Sequence, residues 1–145
     1  MAGKLRVGVI GLGSVSEKYV PHIRNFDLEG GNCEVIIACD LRPGLAERAR
    51  AWGIPQFTTD YRAVLDHPQV DIVLILTGMQ THGKLTREAL LSGKHVLVEK
   101  PMSMDLAEAA ELLALSKTSE GLPRLRAACD AQPDLSGHVA AHPFG

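Results

Sequence analysis

The sequence predicts an α/β domain in which a parallel sheet is wound with helices on both faces. Three observations point there. Short β-rich runs alternate with helical stretches five times along the 145 residues. Two of the runs, Glu34–Cys39 and Ile72–Leu76, are apolar on both faces, as strands covered on both sides must be. The residues with chemical character stand just after the strands, at the edge where such sheets take their ligands.

The elements follow in order. Leu5–Ile10 reads as the first strand, and Gly11-Leu12-Gly13 is the turn after it. A helix is expected from Ser14 to about Asn25, kinked or shortened at Pro21 because proline has no N–H to donate. Glu34–Cys39 is the second strand. Pro43 suits a first helical position, and Leu45–Trp52 continues a helix that Gly53 can end. Gln56-Phe57 forms a brief third strand, and Asp60 is placed to cap a helix over Tyr61–Leu65. Ile72–Leu76 is the fourth strand, Thr81–Leu91 a helix stopped at Ser92-Gly93, and His95–Val98 the fifth strand. Ser103 or Asp105 begins a last helix running to about Lys117, with Leu106, Ala109, Ala110, Leu113 and Ala114 on one stripe. Right-handed crossovers then give a three-layer, doubly wound sheet.

Composition narrows the function. The formal net charge is -2 with no long run of one sign, and aromatic residues make up only 4%, so neither nucleic acid nor an anionic membrane is an expected partner. No apolar run approaches a membrane span, and the N-terminus leads straight into a strand pattern, which makes the cytoplasm the expected location. Cys33, Cys39 and Cys129 form neither a disulfide framework nor a metal-ligand pattern; no metal is expected.

Four clusters carry chemistry. In Gly11-Leu12-Gly13-Ser14-Val15-Ser16, a strand feeds a glycine turn and then a helix. A dinucleotide pyrophosphate needs that tight turn, close backbone approach and a helix start with free N–H groups. The third small position of such turns is Ser16 here. Asp40, directly after the second strand, suits the hydroxyls of an adenosine ribose and favours NAD; Arg42 nearby leaves NADP open, since it can pair with a 2′-phosphate. Thr77 and Gly78, within Thr77-Gly78-Met79-Gln80-Thr81-His82, allow close backbone approach, and His82 reads equally as a cap or a ligand. Glu99-Lys100-Pro101 places a carboxylate, an ammonium and a ring-fixed backbone after the fifth strand, where a lysine can hydrogen-bond a substrate hydroxyl and help move its proton.

With these residues in view, the chain resembles the N-terminal NAD(P)-binding Rossmann domain of the glucose-fructose oxidoreductase, inositol dehydrogenase and rhizopine catabolism (Gfo/Idh/MocA) family. The resemblance runs from about residue 4 to about residue 120, and its most specific block is Ala89–Pro101. It implies an oxidoreductase acting on the CH–OH group of a sugar, cyclitol or related compound. Lys100 then stands on the substrate side, while Gly11, Gly13, Asp40, Thr77, His82, Glu99 and Pro101 line the cofactor. Gly78-Met79-Gln80 departs from the family's Thr/Pro-Asn before the histidine.

The family's second domain, which carries the substrate pocket, is missing from the expected plan. Residues 1–121 read as the dinucleotide-binding domain and 122–145 as an irregular tail foreign to the family, with Leu122–Arg126 a poor sixth strand. The chain therefore reads as truncated. It is expected to bind cofactor with little turnover, to need a second domain for any polyol or sugar, and to self-associate through an exposed sheet edge after strand five and the last helix. A standalone nucleotide-binding or interaction module is the alternative.

Overall fold

A computed structural model describes residues 3–117 and 125–127. The sheet has six parallel strands in the order β3-β2-β1-β4-β5-β6: β1 Leu5–Ile10, β2 Cys33–Cys39, β3 Gln56–Thr58, β4 Ile72–Ile75, β5 His95–Val98 and β6 Leu125–Ala127. The chain starts in the middle at β1, winds outward to β3, then returns to β4 beside β1. The order reverses between β1 and β4, and the crevice at that reversal is where the site lies.

The helices are α1 Ser16–Leu28, α2 Ala46–Ala51, α3 Tyr61–Leu65, α4 His82–Leu91 and α5 Leu106–Leu115. Single 3₁₀ turns at Pro43–Leu45 and Met79–Thr81 lead into α2 and α4. Two apolar cores result. Val20 of α1 and Ala49 of α2 pack on Val7, Val9, Ala38 and Leu74 on one face. On the other, Val64 of α3 and Leu85 and Ala89 of α4 pack on Ile10, Ile37, Val73 and Val96. Successive strand residues point to opposite faces, so β1 serves both cores.

Local signals terminate the elements as expected at most points. Asp60 accepts a hydrogen bond from the Arg62 backbone N–H at 2.9 Å. Asp105 caps α5 by accepting from Ala107 and Glu108, and Ser103 supports that cap by accepting from the Asp105 N–H. Gly53 and Gly93 end α2 and α4 with φ of 71° and 80°.

Two expectations are corrected. Pro21 does not shorten α1, which continues past it to Leu28; packing of Val20 and Ile23 into the first of the two cores supports the helix where proline offers no N–H. The edge beyond β5 is covered, because Leu125–Ala127 pairs with Val96–Val98. The stripe on α5 faces outward, as expected of an exposed last helix: Leu106 is 89% exposed and Leu113 41%, while Leu112 is fully buried. Of the expected irregular tail at 122–145, only residues 125–127 are described, and they form β6. No described helix is long and apolar enough to cross a membrane.

Candidate functional site

The glycine turn is held from three sides. The Gly11 N–H donates to the Cys39 carbonyl at 2.8 Å, joining the ends of β1 and β2. Gly11 has φ of 103°, and a Cβ there would lie 2.7 Å from the Leu76 carbonyl carbon. No other residue fits that place without strain. Arg48 of α2 reaches over the turn and donates to the Leu12 carbonyl at 2.8 Å and the Gly13 carbonyl at 3.3 Å. With the carbonyls engaged, the backbone N–H groups of Gly13, Ser14 and Val15 carry no hydrogen bond among the described residues.

Ser16, at the third small position, is fully buried and its hydroxyl donates to the Gly13 carbonyl. It therefore stabilises the turn that glycine or alanine would merely fit. Leu12 contributes no side chain to the crevice: it is fully buried in the core, and its N–H donates to Asp40 at 2.9 Å.

Asp40 is the most strongly engaged carboxylate of the crevice. It is 8% exposed and accepts from the Leu12 N–H, from the Arg42 N–H, and from the Arg42 guanidinium at both oxygens. Burial pushes its pKa upward, but these donors outweigh burial and hold the carboxyl below its usual range. The stability this ionised group contributes is complete above its unfolded value, about pH 4, and drains away as pH falls through the lower folded value. Asp40→Asn is thus expected to flatten the acid side of the stability curve between about pH 5 and about pH 2, measured by urea unfolding. An unchanged slope would refute the assignment.

Between the glycine turn, Asp40–Arg42 and Thr77–Thr81 lies a cleft of about 520 Å³, with Tyr61 and Lys84 on its far wall. The structure brings Gly11, Gly13, Asp40, Arg42, Thr77 and Gly78 together around it. Thr77 and Thr81 share a hydroxyl–hydroxyl bond of 2.7 Å that closes the turn after β4. Cys39 also lines the cleft, but burial and then the charges of Asp40 and Asp60 push its thiol up to about 11, so it stays protonated.

His82 is turned away from the cleft. As the first residue of α4 its side chain points back toward the preceding loop. It is 1% exposed, with Nδ1 2.7 Å from the Pro101 carbonyl oxygen and Nε2 3.0 Å from that of Thr77. The ring packs between the loops after β4 and β5, and its tautomer decides which of the two carbonyls its N–H serves.

Glu99, Lys100 and Pro101 follow β5 and are not among the residues lining the cleft. The Lys100–Pro101 peptide is cis, and Lys100 is exposed. The Tyr19 hydroxyl donates to the Glu99 carboxylate, tying α1 to this segment. Burial first, and then that carboxylate, push the Tyr19 phenol up to about 12. Sequence reasoning passed over Tyr19, Arg48 and Lys84, and gave Thr81, inside its third cluster, no role; of these, Tyr19 and Arg48 act across elements. Thr81 and Lys84 stand within one turn of the α4 start and were within reach of it; Tyr19 and Arg48 left no local signal.

The residues fit a dinucleotide. The cleft beside Gly13 is open, since a Cβ there would meet only an Arg42 nitrogen at 3.8 Å. Unbonded N–H groups line the start of α1 for a pyrophosphate, and a carboxylate stands at the end of β2 for a ribose. Fold and site together define an NAD-binding Rossmann domain. A family model described as oxidoreductase family, NAD-binding Rossmann fold (GFO_IDH_MocA), matches residues 5–122, and the chain belongs to this family.

The chain is 33% identical over 109 residues to scyllo-inositol 2-dehydrogenase (NAD(+)) of Bacillus subtilis, covering 74% of this chain and 31% of that protein. Myo-inositol 2-dehydrogenase from Lactobacillus plantarum superposes with a TM-score of 0.76 at 26% identity, covering 86% of this chain and 36% of that one. Levoglucosan dehydrogenase, solved in complex with NADH and levoglucosan, superposes with a TM-score of 0.73 at 26% identity, covering 79% and 32%. The chain thus spans about a third of the length of the relatives it matches.

Proposed function

We propose that this chain holds the nicotinamide dinucleotide of an oxidoreductase acting on the CH–OH group of a sugar, cyclitol or related compound, with NAD preferred over NADP. The observation that carries it is Asp40, an ionised carboxylate locked beside the glycine turn by the Leu12 N–H. A fixed negative charge there accepts hydrogen bonds from ribose hydroxyls and repels an added phosphate. The N–H groups of Gly13, Ser14 and Val15 would hold the pyrophosphate, with the Thr77–Gly78 backbone on the opposite wall. Bound nicotinamide supplies the hydride acceptor or donor. Lys100 would hold the substrate hydroxyl and carry its proton at Nζ, and Glu99, fixed by Tyr19, would keep the loop beside it in place.

The dehydrogenases among the relatives, one of them solved with NADH and levoglucosan, support this substrate class. These residues are expected to bind dinucleotide. A titration following NADH fluorescence is the test. Saturable binding is expected, weakened about ten-fold or more by Asp40→Ala, the loss of charge-assisted bonds to two hydroxyls. Absence of binding at millimolar NADH would overturn the reading.

A further inference from the structure

The dinucleotide reading, on which this inference rests, requires a ribose to reach Asp40, and the structure has all of that carboxylate's hydrogen-bonding positions filled. Oδ2 accepts from the Leu12 N–H at 2.9 Å and from Arg42 Nη2 at 3.2 Å; Oδ1 accepts from the Arg42 backbone N–H and from Arg42 Nε, both at 3.0 Å. A carboxylate offers about four acceptor positions. A ribose diol brings two O–H donors of its own, so two of the present donors must give way.

The two pairs of donors differ. The backbone N–H groups of Leu12 and Arg42 belong to the turn after β1 and the strand end after β2, and releasing them would dismantle the site. The guanidinium is carried on a flexible stem at the cleft wall, and the Arg42 side chain is 65% exposed. It is the pair that can leave.

We propose that the Arg42 guanidinium is an intramolecular competitor of the ribose, occupying the Asp40 positions that NAD needs, and that it sets cofactor selectivity by this competition. Its fork matches the carboxylate as the diol would, with two parallel donors. NAD binding therefore works against the Asp40–Arg42 pair. A dinucleotide with a phosphate on that ribose is affected in the opposite way: the displaced guanidinium faces a dianion it can pair with, and Lys84 lines the same cleft from α4. One side chain thus weakens NAD binding and retains a residual affinity for NADP.

Dissociation constants for NADH and NADPH, measured by fluorescence at fixed ionic strength on the 145-residue chain, test this. Arg42→Ala is expected to tighten NADH about two- to five-fold, the range an exposed ion pair is worth, and to weaken NADPH by at least as much. Arg42→Gln, which keeps the stem and loses the charge, is expected to do the same and stands in if the alanine variant fails to fold. Arg42→Lys should fall between, because one ammonium cannot fork across both oxygens. Thermal melts confirm that each variant is folded. Unchanged or weakened NADH binding in folded Arg42→Ala and Arg42→Gln, with wild-type binding intact, overturns the competition alone. A wild-type chain that binds neither dinucleotide overturns the reading beneath it and the competition with it.

Discussion

Gly11→Ala is expected to destabilise the domain by about 2–4 kcal/mol, lowering its melting temperature by roughly 10 °C or more. Two costs add. The backbone at φ of 103° strains any L side chain, and the new Cβ would lie 2.7–2.9 Å from Leu76 and Thr77 backbone atoms. Those atoms belong to the end of β4 and the loop beyond it, so they cannot yield as a flexible side chain would. The turn must open instead, which pulls the Gly11 N–H from the Cys39 carbonyl and moves the N–H groups at the start of α1. NADH binding should be lost along with the stability. Differential scanning calorimetry decides the matter: a melting point within about 2 °C of wild type would show that the turn tolerates a side chain.

The second large effect is expected at His82. His82→Phe keeps an aromatic ring of similar size but removes both nitrogens, leaving the Thr77 or Pro101 carbonyl that the ring N–H serves without its partner. A loss of about 2 kcal/mol is expected, the usual consequence of part-buried acceptors left unmade. Urea unfolding separates the two roles a histidine can play here. A brace loses stability whether or not cofactor is present. A ligand-contacting histidine would leave stability unchanged and weaken NADH alone, and that result would refute the brace.

How far the sequence revealed these features depends on the range over which each is decided. The strands β2 and β4 were legible because a strand covered on both faces must be a continuous apolar run, and few other structures need one. The caps Asp60 and Asp105 were legible because a cap acts within three residues. The chemistry of Gly11, Gly13 and Asp40 was legible from their position after strands, which the alternating pattern located.

The misreadings lie where packing decides. The segment Leu125–Ala127 has little strand character of its own; it becomes β6 because β5 presents an unpaired edge. His82 stands at the position expected of it, but the direction of its ring depends on where the loop after β5 returns.

By itself the sequence determined the alternation of strand and helix, the glycine turn, and the carboxylate and lysine at the strand ends, because each is set by neighbours a few residues away. Only the tertiary structure decided that Arg48 and Tyr19 brace the site from other helices, that His82 faces two carbonyls, and that Arg42 sits on the carboxylate of Asp40. The physical reason is common to all: a hydrogen bond between distant residues depends on where the chain has been brought in space, and no local pattern of residues records it.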